Sequence, residues 1–144
     1  MKRRAYQAAS LGISIILIGC LRASSIWIDH PSTVANLTFG IAQSRGGSKP
    51  LRSLNEVTVR DCYRDGASQE TFWQVSQRKN ISETAPLKIH YGVTPNGFAA
   101  WVPPKSLTPG CYEVTASGEG ISASTRFNVL QHGDIVALAR NGQS

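Results

Sequence analysis

The sequence predicts an all-β domain, an antiparallel sandwich or barrel of about seven or eight short strands. Three observations carry that expectation. Apolar residues recur at every second position, turn-forming residues separate the runs at about ten-residue spacing, and no stretch after the N-terminal segment keeps a helical period. The length of 144 residues suits one modest core. Prolines and glycines are scattered between the apolar runs instead of forming a low-complexity tract, and no internal repeat is present.

Taken in order, "NLTFGIA" places Leu37, Phe39 and Ile41 on one face, and "SRGGSKP" follows as a loop. "EVTVRDC" alternates through Val57 and Val59, "RDGAS" turns the chain, and "ETFWQVS" is the next strand. "LKIHYGV" alternates through Leu87, Ile89, Tyr91 and Val93; "TPNG" is a turn, and "GFAAWV" is a short run closed by Pro103-Pro104. "CYEVTAS" presents Tyr112, Val114 and Ala116, "GEG" makes a hairpin, and "ISASTRFNV" presents Ile121, Ala123, Thr125, Phe127 and Val129. Residues 131–144 form a tail in which "DIVALAR" suits either one or two helical turns or a trailing strand.

The segment "SLTPGCYEVTASGEGISASTRFNV" resembles the end of bacterial immunoglobulin-like and fibronectin type III-like modules. Leu107, Pro109, Gly110, Tyr112 and Val114 sit at the matching positions. The resemblance implies a single immunoglobulin-like antiparallel β-sandwich of about seven strands over residues 36–130, following an N-terminal signal helix. Elementary chemistry agrees with it: Pro109 and Gly110 turn the chain, and Tyr112 can bury its ring while its hydroxyl bonds backbone at the corner.

"MKRRAYQAASLGISIILIGC" has the three-part plan of a secretory signal: a basic start, a short apolar run and a small residue before the break. A membrane-spanning helix needs about 20 apolar residues, and the run from Leu11 to Gly19 is too short. Leu17-Ile18-Gly19-Cys20 resembles the lipobox of bacterial lipoproteins. That resemblance implies cleavage after Gly19, residues 1–19 being the signal peptide. It also implies lipidation of Cys20 with several acyl chains such as palmitate, which anchor stably where one chain does not. Residues 20–35 are then a lipidated tether with Trp27 either at the membrane interface or starting the first strand. Leu21 in place of an aspartate favours the outer membrane, with the domain facing the periplasm.

Without Cys20, two cysteines remain in a chain expected in an oxidising compartment, so Cys62 and Cys111 are expected to pair. Parity refines the expectation. Tyr112 and Val114 face inward, so Cys111 faces the other way, and Cys62 is off the face of Val57 and Val59 unless a bulge intervenes. The bridge is therefore expected at a sheet face or loop end, distinct from the core disulfide of antibody-type domains.

The formal charge of +6 includes Lys2, Arg3 and Arg4; without them twelve basic residues face nine acidic ones, a net of +3. The rest are dispersed without aromatic interleaving, which argues against a nucleic-acid partner. No catalytic, metal or phosphate-binding motif is present, so neither an enzyme nor a cofactor nor a metal is expected. Cys62, His90 and Asp61 come nearest to a nucleophile set, but Asp61 and Cys62 point to opposite faces and the disulfide consumes the thiol. Asn36-Leu37-Thr38 and Asn80-Ile81-Ser82 match the glycosylation acceptor pattern and are taken as chance. Trp73, Phe98 and Trp101 are the candidate binding residues: in the pairs Phe72/Trp73 and Phe98/Trp101, alternation turns one aromatic inward and one outward. The expected partners are the membrane through Cys20 and an envelope protein docking at a sheet edge or loop end, with a cell-wall or exported glycan as the second reading.

Overall fold

The computed structural model describes residues 25–29, 32–42, 54–62, 67–78, 88–118 and 121–138. Among them nine strands form two antiparallel sheets. In chain order these are β1 (Ser25–Ile28), β2 (Thr38–Ala42), β3 (Leu54–Asp61), β4 (Thr71–Gln77), β5 (Lys88–His90), β6 (Phe98–Val102), β7 (Gly110–Gly118), β8 (Ile121–Val129) and β9 (Ile135–Leu138). The smaller sheet has the order β1-β2-β5 and the larger β6-β4-β3-β7-β8-β9. Their apolar faces meet in one core, giving a β-sandwich-like arrangement.

Alternation builds that core. β7 buries Tyr112, Val114 and Ala116, β8 buries Ile121, Ala123, Phe127 and Val129, and β3 buries Val57 and Val59. Leu37, Phe39 and Ile41 bury together as their spacing predicts. Phe39 meets Phe127 across the two sheets at 6.1 Å between ring centroids. Burial of apolar area of this kind is the main favourable term in folding.

Within 20–35 and 131–144 the chain takes the strand alternatives that the sequence left open, and one run is shorter than its alternation predicts. β1 lies within 20–35, so Trp27 belongs to a strand, and β9 makes the tail a trailing strand for part of its length. The run "LKIHYGV" ends as a strand at His90, because Gly92 takes φ 81°, a conformation glycine adopts at no steric cost. Val93 is consequently 58% exposed instead of continuing the buried face. Residues 1–24, including the expected signal peptide and the expected lipidation site Cys20, lie outside the described residues.

β2 is buried on both faces. On its outer side Trp27 lies across Gly40, where a Cβ would overlap the indole, and the Trp27 Nε1–H donates to Asp29 Oδ1 at 3.0 Å. Asp29 Oδ2 also pairs with Lys88 Nζ at 2.7 Å, so the carboxylate ties β1 to β5 across the glycine. Glycine weakens a strand unless a close approach uses its missing side chain, and here the indole uses it.

Two strap hydrogen bonds close one corner. Val34 N–H donates to the Gly133 carbonyl at 2.9 Å and Ile135 N–H to the Ser32 carbonyl at 3.0 Å. They place the end of β1 beside the start of β9.

Gly40→Ala is expected to destabilise the domain by about 1–3 kcal/mol through overpacking against Trp27. Urea unfolding followed by tryptophan fluorescence measures it. A variant within error of the parent would remove Trp27 from this role.

Candidate functional site

Cys62 and Cys111 are joined by a disulfide, with Cα atoms 5.4 Å apart and a sequence separation of 49. Cys62 directly follows β3, and Cys111 is the second residue of β7. The Cys62 N–H also donates to the Cys111 carbonyl at 3.0 Å. Both residues are half-buried at the end of the two central strands of the larger sheet. The bridge is thus a cross-strand staple within one sheet, as side-chain parity requires.

Beside it, Tyr112 buries its ring against Phe127 at 5.6 Å and against the edge of Phe72 at 5.1 Å. Its hydroxyl donates to the Thr108 carbonyl at 2.9 Å and accepts from the Thr108 N–H at 3.1 Å. One phenol therefore satisfies both backbone groups of a residue four positions upstream, where the chain turns into β7.

The candidate aromatics divide according to two β-bulges. In the β3–β4 ladder Val59 faces Trp73 and Arg60 faces Thr71, so Phe72 is the extra residue. A bulge breaks the two-residue alternation. Phe72 and Trp73 therefore both serve the core instead of splitting between faces: Trp73 is fully buried and Phe72 packs against the core cluster. In the β4–β6 ladder Gln74 faces Val102 and Val75 faces Ala100, leaving Trp101 as the extra residue. Phe98 is buried, while Trp101 is 72% exposed on an edge strand. Of the three candidates only Trp101 is presented to solvent. The sequence carries no signal for either bulge, since neither is marked by a glycine or a break in the apolar run.

β6 forms one edge of the larger sheet, and "FAAWV" carries no charged residue before Pro103-Pro104 ends it. Edges are commonly protected by charge, proline or bulges; among the described residues this one has the bulge and the terminal prolines. At the opposite edge the 32–34 strap covers the start of β9, and Leu130 and Val136 are exposed nearby.

Other polar groups are engaged structurally. Glu56 accepts from Thr58 Oγ1 at 3.0 Å, from Gln74 Nε2 at 2.8 Å and from Ser76 Oγ at 3.3 Å on the outer face of the larger sheet. Asp61 Oδ1 accepts the Glu70 N–H at 2.7 Å, and His90 Nδ1 lies 2.8 Å from Thr38 Oγ1 in the other sheet. With Cys62 oxidised, Cys62, Asp61 and His90 do not form a nucleophile set. Among the described residues no group of three or more potential metal ligands is brought together.

Tyr91 crosses between the sheets. Its ring meets Trp73 at 5.4 Å, and its hydroxyl lies 2.7 Å from the Lys105 carbonyl and 3.3 Å from that of Phe72. Burial pushes its phenol up to about 12, outweighing the opposing effect of the Lys105 backbone bond, with a smaller contribution from Tyr112.

No protein-family model, no curated protein and no solved structure matches the chain.

Because the folded state favours the neutral Tyr91 phenol, its contribution to stability is fully present below pH 10, the usual tyrosine value, and is lost as pH rises towards about 12. Absorbance at 295 nm is expected to show one tyrosine ionising last, and Tyr91→Phe to remove that step. A last step that survives the substitution would assign it to another tyrosine. Reducing the disulfide is expected to cost about 4 kcal/mol from restored loop entropy alone, read as a shift of the urea midpoint with and without reductant. An unchanged midpoint would show that the bridge leaves stability untouched.

Proposed function

We propose that this chain is a bacterial lipoprotein, anchored through lipidated Cys20, whose immunoglobulin-like domain is a non-catalytic binding or structural module of the cell envelope. The observation that carries the proposal is the sequence Leu17-Ile18-Gly19-Cys20 at the end of a short apolar run behind a basic start. The Cys62–Cys111 bridge supports it, since disulfides persist in exported proteins and are rare in cytosolic ones. The Tyr112–Thr108 corner and the two packed antiparallel sheets support the immunoglobulin-like assignment. Leu21 after the lipidated residue favours the outer membrane, with the domain facing the periplasm.

The binding surface we assign is the edge of β6 with Trp101. An uncharged edge strand offers backbone donors and acceptors to an extended segment of another protein, and an exposed tryptophan beside it supplies a large contact area at low entropic cost. A second reading, a glycan bound through aromatic stacking, is favoured by the same exposure of Trp101, with Trp73 and Phe98 excluded from the contact by burial.

Photocrosslinking of the full chain in its own membrane, followed by mass spectrometry, tests the assignment. A reproducible protein partner is expected, and Trp101→Ala is expected to abolish its capture while changing stability by no more than about 0.5 kcal/mol, as usual for an exposed position. Capture of glycan alone would replace the first reading with the second. Capture that is indifferent to Trp101→Ala would move the surface elsewhere. Cys20→Ala is expected to release the protein from membranes; retention with unchanged processing would overturn the lipid anchor.

A further inference from the structure

We propose that the β6 edge binds a second copy of itself: two chains pair β6 to β6, antiparallel, about a two-fold axis at Ala100, and so join their larger sheets into one. The inference rests on the assignment of β6 as the binding edge and names the segment which that edge accepts.

Backbone direction sets the centre. Just before β6 the Arg78 N–H donates to the Gly97 carbonyl at 2.9 Å, so Gly97 turns its backbone groups towards β4. Successive residues of an antiparallel strand turn their N–H and C=O alternately to one neighbour and to the other. The register is regular through Gln77↔Phe98, Ser76↔Ala99 and Val75↔Ala100. Ala99 therefore faces β4, whereas Phe98 and Ala100 face the free edge. The Phe98 N–H is already taken by the Pro95 carbonyl at 3.1 Å. Ala100 is left presenting both a donor and an acceptor outward. A two-fold axis beside it lets the Ala100 residues of the two copies exchange a pair of N–H···O bonds. Pro103 and Pro104 offer no donor, which confines the pairing to β6 itself.

Charge and size select the occupant. From Tyr91 to Pro104 no residue carries a charge, in a chain of net charge +6. Like charges opposite each other across strands are destabilising, so two copies of a basic chain meet best along a neutral segment such as this one. The axis at Ala100 also sets Trp101 opposite Ala99 of the second copy, on the outer face that the joined sheets share. Large then meets small twice. The chain already packs this way inside one copy, where Trp27 stands opposite Gly40 and lies across it.

Area sets the strength. β6 offers five residues a side, against about 20–30 in a standard interface. The pairing is therefore weak between free chains, and confining both to one membrane raises it through effective concentration. Because the contact uses the same edge in both copies, assembly closes at two.

The test uses the full chain in its own membrane, carrying Ala100→Cys. The Cα atoms of that position in the two copies are expected about 5.5 Å apart, within the roughly 4.4–6.8 Å that a disulfide bridges. Mild oxidation is expected to give a linked dimer on a non-reducing gel, with peptide mapping placing the new bridge between the two substituted positions and leaving Cys62–Cys111 intact. Val136→Cys, exposed on the opposite edge strand β9, is expected to give no linked dimer, alone or mixed with Ala100→Cys. Adding Trp101→Ala to Ala100→Cys is expected to lower the yield about tenfold, as loss of a central interface tryptophan does. No dimer from Ala100→Cys, equal linking through Val136→Cys, or a yield indifferent to Trp101→Ala would overturn the two-fold pairing. If an unlike protein is then still captured in a Trp101-dependent way, β6 stands as the binding edge and only the second copy is wrong as its partner. If no capture of any kind depends on Trp101, both readings fall.

Discussion

Phe39 of β2 rests on Phe127 of β8, and this contact between the sheets is the one on which the other core contacts depend. A three-stranded sheet covers a six-stranded one only if its middle strand is fully committed to the interface. β2 meets that condition by having every residue buried. From Phe127 the rings continue through Tyr112 to Phe72, each within 6 Å of the next. The end of the larger sheet is thereby organised around aromatic faces and edges, arrangements that add to plain area burial. Trp27 over Gly40 is the outer counterpart, shielding β2 where a side chain of its own would not fit.

The two bulges decide what this core leaves available. At Phe72 the extra residue returns two adjacent aromatics to the interior, which uses Trp73 and Phe72 for packing. At Trp101 the extra residue lies on an edge strand, and the indole stays in solvent. The first bulge thus consumes Trp73, whereas the exposure of Trp101 follows from its odd spacing from the buried Phe98. The second bulge reduces the regularity of the β6 edge, so a partner strand would engage a short uncharged segment bounded by the bulge and by Pro103-Pro104.

The sandwich has two unlike ends. One gathers the covalent bridge, the Tyr112 corner, Tyr91 between the sheets and the 32–34 strap, a concentration of constraints that makes it the consolidated end. The other holds the first residue of β1, Ser25, and the last of β4, Gln77. The β6 edge runs along the flank between these two ends.

The sequence by itself determined the all-β class, the buried faces of β3, β7 and β8, the Cys62–Cys111 pairing and its place off the core, and the bonding of Tyr112 to nearby backbone. These follow from strict two-residue alternation, an even thiol count and turn residues a few positions away, all of them local properties. Only the tertiary structure decided the burial of both Phe72 and Trp73, which of Phe98 and Trp101 faces outward, the membership of β1 and β9 in the sheets, and the end of the run "LKIHYGV" at His90. A bulge is set by how two strands register when their side chains must fill one core, and a short strand such as Ser25–Ile28 is stable only because β2 accepts its hydrogen bonds and Gly40 makes room for Trp27. Those conditions belong to residues far apart in the chain, so no window of the sequence contains them.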